Sequence, residues 1–305
     1  MIQSVHFKNF RCLRSVTLKL APLTVLVGPN SSGKTSVLEG LKPRSGIESS
    51  DFWKLNPDQE LQIIWAYTDG SAGFYQRFPN SGHSLDVRHT LQSLALDLKA
   101  LRKENVLASA QQLSPTGDNL TNVFASLSRQ QQAAVAKELC RLVPMFSDVD
   151  LEPTSKGQLR LRFQDRWNPD LWFAPSQVSD GTMLVLAFLV LQYQNPSPDI
   201  LTIEEPERAL HPYLLDELIQ FLRKMTTGEI GKKPVQVVLA THSAELLEYV
   251  RPEEVRFLTR SSEDGSVQVN EAPTDTTNWQ QVYKEYRESL GSIWLSGSVG
   301  GVPGR

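Results

Sequence analysis

At 305 residues, with 40% hydrophobic and 21% charged side chains, the chain is long enough for one large or two modest domains around a substantial core. A formal net charge of −3 excludes a global electrostatic pull toward nucleic acid or a membrane surface, so binding of either kind needs a local basic patch. Cys12 and Cys140 form neither a metal-binding nor a disulfide pattern, Met1–His6 lacks the plan of a signal peptide, and the apolar run Met183–Leu191 is too short to span a bilayer; a soluble, cytoplasmic protein with no membrane partner is expected.

The first 28 residues read as three strands, Ile2–Lys8, Val16–Leu20 and Leu23–Gly28, with Asn9 and Arg11 in the first connection. The last of them, Leu23-Thr24-Val25-Leu26-Val27, is apolar and β-branched. It runs into Gly28-Pro29-Asn30-Ser31-Ser32-Gly33-Lys34-Thr35, which fits G-x-x-x-x-G-K-[ST], and then into an amphipathic helix start from Ser36. Strand, glycine loop and helix together make an anion site. Glycines let successive backbone N–H groups turn inward, and the helix N-terminus adds its positive end. Lys34 is placed to neutralise β- and γ-phosphates, and the Thr35 hydroxyl to ligate Mg²⁺, so ATP and Mg²⁺ are the expected cofactors.

From Lys42 to Gln59 the chain is polar and irregular, and Leu61–Tyr67 with Gly73–Phe78 form a strand pair around Asp69-Gly70-Ser71. Leu85, Leu91, Leu94, Leu98 and Leu101 then keep helical spacing, as do Val123, Leu127, Val135, Leu139 and Leu142, with Ser114–Asp118 as a break; a helical insertion lobe is expected over 84–156. Gln158–Phe163 returns to strand, and β and α then alternate. Met183–Tyr193 is a helix, Ile200–Ile203 a strand, Pro212–Met225 a helix and Val235–Ala240 a strand. A short helix over Ala244–Val250 follows, then the strands Val255–Arg260 and Val267–Asn270. One helix from Trp279 to Leu290 and a glycine-rich strip to Arg305 close the chain. Such alternation implies a largely parallel, covered sheet.

Three further stretches carry chemistry. Leu201-Thr202-Ile203-Glu204-Glu205-Pro206-Glu207 is an apolar strand ending in carboxylates, with Glu204 a candidate Mg²⁺ ligand and Glu205 a candidate base for the attacking water. Val237–Ser243 is another buried strand with His242 at its end, placed to bond the γ-phosphate or that water. Ser179-Asp180-Gly181-Thr182 precedes the apolar helix and has two compatible readings, an N-cap or a phosphate contact.

Taken together, these residues resemble the ABC-type ATPases of the RecF, SMC and OLD group, which are also grouped as AAA-family ATPases. The resemblance covers roughly 1–41 and 157–260 and implies an α/β P-loop ATPase head with an N-terminal antiparallel β-subdomain, a largely parallel core sheet and a helical insertion lobe. The whole of 1–305 is then one ATPase domain: 1–83 with the phosphate loop, the lobe 84–156, the signature and acidic half 157–275, and the C-terminal part 276–305. By that likeness Gly28–Thr35 is Walker A, Ser179–Thr182 the signature, Ile200–Glu205 Walker B, Glu207–Pro212 the D-loop and His242 the switch histidine. The start Phe7-Lys8-Asn9-Phe10-Arg11 also looks like that of these proteins. Catalytic roles fall on Lys34, Glu205 and His242 and metal contacts on Thr35 and Glu204. Nucleotide contacts fall on Asn9, Arg11, Pro29, Asn30, Ser31, Ser32, Gly33, Lys34, Thr35, Ser36, Ser179, Asp180 and Gly181.

Departures also count. The signature reads Ser-Asp-Gly-Thr, Walker B has glutamate where aspartate is usual, and Gln76 is a weak glutamine-loop candidate. Neither a coiled-coil tether nor, after Arg260, a TOPRIM-type nuclease domain is expected. The ending around Leu290–Gly297 and Gly300–Pro303 looks like compact ATPases with a small TOPRIM-like partner. The resemblance thus implies an ATP-hydrolysing switch that closes as a head-to-head homodimer, or a higher oligomer, and controls an effector in anti-phage defence. The alternative is a DNA-binding repair ATPase of RecF type, for which Lys99, Arg102, Lys103 and Arg129 are the basic candidates. A transporter subunit is disfavoured by the signature and the missing glutamine loop.

Overall fold

The computed structural model describes residues 1–43, 48–79, 83–274, 276–286 and 288–297. The expected glycine-rich ending at 300–303 lies outside the described residues. The chain divides into two compact units, one comprising 1–92, 198–207 and 236–305, the other 93–197 and 208–235.

In the first unit, β1 (Ile2–Phe10), β2 (Leu13–Lys19), β4 (Leu61–Tyr67), β5 (Ala72–Arg77) and β6 (His83–Asp86) form an antiparallel sheet in the order β2-β1-β4-β5-β6. Their alternating burial gives the sheet one covered face, where Val5, Phe7, Leu18, Ile63 and Trp65 are enclosed. A mixed sheet is built on β3 (Leu23–Val27), β11 (Ile200–Glu204), β12 (Gln236–Thr241), β13 (Val255–Arg260) and β14 (Val267–Glu271). Strands β11, β12, β3 and β13 run parallel in that spatial order, and β14 returns antiparallel. All five residues of β3 and all six of β12 are buried, as parallel strands covered on both faces require. Gln236 fastens the start of β12: its amide bonds both backbone groups of Ile2 and the carbonyl of Ala21.

Register fixes where the strands end. Thr241 faces Val27, and Glu204 faces Ala240, so the phosphate loop, the acidic run and the Thr241–His242 turn leave three adjacent parallel strands at the same edge. That edge is where ligands of open parallel sheets bind. Helix α1 (Lys34–Leu41) follows the loop and buries Val37, Leu38 and Leu41.

In the second unit α2 (Leu120–Ser126) and α3 (Arg129–Leu142) precede an antiparallel sheet of β8 (Phe146–Pro153), β9 (Leu159–Asp165) and β10 (Trp172–Phe173). Helix α4 (Asp180–Leu191) buries every residue from Gly181 to Leu191, so its uniform apolarity is that of a core helix. Helix α5 (Pro212–Thr227) starts on Pro212 and ends at Gly228 in the left-handed conformation, the asymmetry that favours proline first and glycine last.

The first half of the expected helical lobe is corrected. Leu85 lies in β6, Leu91 and Leu94 lie in β7 (Leu91–Leu94), and only a 3-10 turn over Ala100–Arg102 follows. Long-range bonds override the leucine spacing: β6 pairs with β5, and buried His89 bonds the Tyr67 hydroxyl at 2.8 Å and the Leu41 carbonyl at 3.0 Å. Thr90 bonds Asp199 through both its N–H and its hydroxyl. The lobe also carries strand β8, which the apolar pattern does not announce because Val149 is its one buried side chain. A second correction concerns the tail. The single helix expected from Trp279 to Leu290 is α7 (Thr277–Glu285) and α8 (Leu290–Leu295), parted at Glu288 with φ 62°. Ser289 caps α8 and donates to Glu248, which a serine before an apolar run would have signalled.

Candidate nucleotide site

The loop after β3 is shaped by its small residues. A Cβ at position 28 would come within 2.5 Å of the Leu258 carbonyl and 2.6 Å of Ser32 Oγ, and Gly33 adopts φ +110°. Both positions therefore require glycine. Lys34 Nζ folds back over the loop, donating to the Gly28 carbonyl at 2.7 Å and the Pro29 carbonyl at 2.9 Å. Ser32 Oγ is buried within the loop and makes no hydrogen bond.

A cleft of about 330 Å³ opens over this loop, lined by residues 30–36 together with Glu204, Glu205, Ala240 and Arg260. Thr35 Oγ1 lies 3.4 Å from Glu204 Oε2, and His242 Nδ1 lies 3.3 Å from Glu205 Oε1. Glu205 has φ 47°, while its N–H still donates to the Ala240 carbonyl at 2.8 Å. The strand ladder thus reaches Glu205, and a left-handed residue then turns the chain, a strained geometry of the kind found at functional sites.

Burial lowers the pKa of Lys34, while the carboxylates Glu205, Glu207 and Glu204 pull it back up. Burial also raises Glu204 and Glu207 above the ordinary carboxylate range; the Thr241 hydrogen bond opposes the shift at Glu207. A desolvated lysine ringed by acids favours any anion that replaces those acids and any cation that relieves them. The donor set fits a magnesium nucleotide. Among the described residues no group of three or more His, Cys, Asp or Glu forms a self-sufficient metal cage. Mg²⁺ commonly takes one or two protein oxygens and completes its shell with phosphate and water. Thr35 and Glu204 would supply those protein oxygens.

Of the residues expected from sequence, Asn30 to Ser36, Glu204 and Glu205 line the cleft, and His242 touches Glu205. Pro29 does not line it, although its carbonyl receives Lys34. Asn9 and Arg11 do not line it either: Asn9 donates to the Glu60 carbonyl at 2.8 Å, and Arg11 pairs with Asp51 at 2.7 Å. Gln76 is bonded to Glu60 at 2.6 Å, in a cluster with Lys8 and Gln62, away from the cleft lining. Two residues escaped the sequence reading. Arg260 lines the cleft and bonds the Ser31 carbonyl at 2.8 Å; its position at the end of a parallel strand was the available signal. Glu207, read only as the start of the segment after Walker B, accepts from Thr241 Oγ1 at 2.5 Å.

Ser179, Asp180 and Gly181 belong to the second unit. Ser179 is the N-cap of α4, its Oγ accepting from Thr182 N–H at 3.1 Å. A Cβ at position 181 would meet the Ala209 carbonyl at 2.8 Å, so glycine there permits a close approach of backbone to helix. Arg102 braces the same turn, bonding the carbonyls of Leu98, Pro175 and Val178 and the Asp180 carboxylate, all within 2.9 Å. Arg102 is therefore committed internally, which removes it from the expected DNA-binding set, whereas Lys103 pairs with Asp118 at 3.3 Å on the exposed surface.

A second groove, of about 280 Å³ among α3, α4 and α5, has mainly apolar walls, and its cations Arg141 and Lys224 are paired with Glu138, Glu217 and Glu229. Chemistry, not size, singles out the cleft at the strand ends. Among the described residues, no helix is long and apolar enough to cross a membrane.

Several known proteins resemble the chain. Residues 1–78 match the family model described as "AAA ATPase domain". The OLD nuclease of Thermus scotoductus (strain ATCC 700910 / SA-01) is 23% identical over 337 residues, covering 87% of this chain and 63% of the relative. The chain thus spans less than two thirds of that relative's length. Among solved structures, an Smc head bound to the C-terminal winged-helix domain of ScpA has a TM-score of 0.58 at 12% identity, covering 88% of this chain and 96% of that one. The Smc head with an extended coiled coil bound to the C-terminal domain of ScpA, from Pyrococcus furiosus, has a TM-score of 0.59 at 13% identity, covering 94% and 99%. At such identities the likeness shows the fold alone, that of an Smc head. Residues 85–248, more than half of the sequence, match the model described as "AAA domain, putative AbiEii toxin, Type IV TA system", and the chain belongs to that AAA family.

Proposed function

We propose that the chain binds ATP with Mg²⁺ in the cleft over residues 30–36 and hydrolyses it there. One observation carries the reading: Lys34, Thr35, Glu204, Glu205 and His242 stand at the ends of three adjacent parallel strands, with Thr35 beside Glu204 and His242 beside Glu205. Lys34 and the loop N–H groups take the phosphates, exchanging the lysine's bonds to the Gly28 and Pro29 carbonyls for phosphate oxygens. Thr35 and Glu204 hold the metal ion, whose chemistry when bound is to neutralise charge on the phosphate oxygens. Glu205 orients the attacking water and takes its proton, and His242 fixes Glu205 and senses the γ-phosphate. In this reading Asn9 and Arg11 contact nucleotide only after exchanging their bonds to Glu60 and Asp51.

The same reading has two chains meeting face to face, Ser179, Asp180 and Gly181 of one closing on the nucleotide of the other. Nucleotide state then becomes dimer geometry that an effector reads, a TOPRIM-like nuclease subunit being the partner we favour. We place this switch in the cytoplasm and in defence against phage; the family's description names a putative toxin of a type IV TA system, and the relative is named a nuclease. DNA binding keeps Lys99, Lys103 and Arg129, all exposed, as its basic candidates. The decisive experiment compares Glu205→Gln with the parent chain. Phosphate release should fall about a hundredfold or more while ATP affinity stays within about threefold, the pattern of a lost group that acts in the transition state. Hydrolysis at the parent rate would remove Glu205 from the base position.

A further inference from the structure

We propose that Glu207 is the positioning residue for His242: its carboxylate holds the Thr241 hydroxyl, and through that hydroxyl the backbone turn that presents the imidazole to Glu205. The inference rests on the hydrolytic reading above and adds to it a residue with no direct contact to the reaction.

The turn is tied on both sides of His242. Thr241 is completely buried, the last residue of β12, and paired in register with Val27 immediately before the phosphate loop. Its Oγ1 donates to Glu207 Oε1 at 2.5 Å and accepts the N–H of Ser243 at 2.9 Å. Ser243 Oγ in turn accepts the N–H of Leu246 at 3.2 Å and caps the short helix α6 (Ala244–Leu247). A hydroxyl that both donates and accepts has its hydrogen direction fixed. Its proton goes to the Glu207 carboxylate, which has none to give when ionised, and one of its lone pairs takes the Ser243 N–H. His242 is thus anchored through its two neighbours and left with a half-exposed ring, 3.3 Å from Glu205.

The arrangement carries a cost that a purely structural pair would avoid. Glu207 Oε2 is buried and makes no hydrogen bond, so an ionised side chain there is under-solvated on one oxygen. Burying an apolar pair at 207 and 241 would have been cheaper for the fold. What the carboxylate adds is direction: it selects one hydrogen-bond orientation at Thr241 and hence one placement of the Ser243 amide. Pro206, buried between Glu205 and Glu207, restricts the backbone joining the two acids, so the base and the anchor share one stiff segment.

The test uses the full chain with Thr241→Val, Glu207→Ala, Glu207→Gln and the pair Thr241→Val with Glu207→Ala. Steady-state hydrolysis is measured together with the imidazole NMR signal of His242, assigned by its loss in His242→Gln. Thr241→Val and Glu207→Ala should each lower kcat about tenfold, the worth of one hydrogen bond, with KM for ATP within about twofold. Each should shift the His242 signal, and the double variant should be no worse than either single one. Glu207→Gln, whose amide oxygen still accepts the Thr241 proton, should restore most of the loss. Thr241→Val is isosteric and serves as the test if Glu207→Ala does not fold. An unmoved His242 signal in Thr241→Val, or additive losses in the double variant, would overturn the proposal. If the parent chain hydrolyses no ATP, the hydrolytic reading fails, and the His242 signal alone then decides whether Glu207 positions the ring.

Discussion

Lys34 is a desolvated cation held against two loop carbonyls and surrounded by three carboxylates, so its charge is matched before any phosphate arrives. Charge-assisted bonds of this kind contribute about 1.5–3 kcal/mol each, so Lys34→Ala should weaken ATP binding about 10- to 100-fold by calorimetric titration. Unchanged affinity would count against the role of the loop. Glu207 gives a pH prediction. Burial raises its folded-state pKa above the unfolded value, so its contribution to stability is present below the unfolded pKa and is lost as pH rises through the raised one. Glu207→Gln does not ionise and escapes that loss. The melting temperature of the variant minus that of the parent chain should therefore increase as pH rises from about 4 toward 8. A difference that falls with pH would mean that the carboxylate is better solvated than its surroundings imply.

At the scale of elements, the turn into α4 depends on one side chain. Arg102 satisfies three carbonyls and one carboxylate with the planar fork that lysine lacks. Arg102→Lys should leave ATP affinity unaltered and speed hydrogen exchange at Gly181 and Thr182 by about tenfold or more, as one or two lost bonds imply. Protection equal to that of the parent chain would show that the Ser179 cap alone holds the turn. The core of α4 makes a second demand: Leu186 is completely buried, and Leu186→Ala should cost about 2–5 kcal/mol in urea unfolding. Segments that stand on tertiary bonds behave differently. The chain over Leu85 to Thr90 is extended because β5, Tyr67, Leu41 and Asp199 hold it, not because its own residues favour a strand.

For the whole molecule, the proposal is a nucleotide-dependent change of assembly. The mass in solution of Glu205→Gln, with and without ATP and Mg²⁺, should double on adding both. A fixed mass would turn the reading toward a static ATPase scaffold. The chain's match to only part of the OLD nuclease makes the partner question natural, since that relative is longer than the segment aligned with it.

The sequence alone determined the parallel core and most of the residues that line the candidate cleft, for a local reason. Each candidate group there follows directly on a continuous apolar strand: Gly28–Thr35 after β3, Glu204 and Glu205 in and after β11, His242 after β12. Strand and motif are read in one window, and the parallel order aligns their ends. The helices α4 and α5 were legible likewise, from an unbroken apolar run and from an amphipathic run opened by Pro212. Tertiary structure decided what depends on partners distant in sequence. It gave Arg11 to Asp51 and Gln76 to Glu60, and it turned Arg102 from a candidate DNA contact into an internal brace. It bent the leucine-spaced segment into strands by pairing β6 with β5, and it brought Glu207 to Thr241 across a separation of 34 residues. Local sequence fixes which residues end a strand; only the packed chain fixes which side chain across the sheet receives their hydrogen bonds.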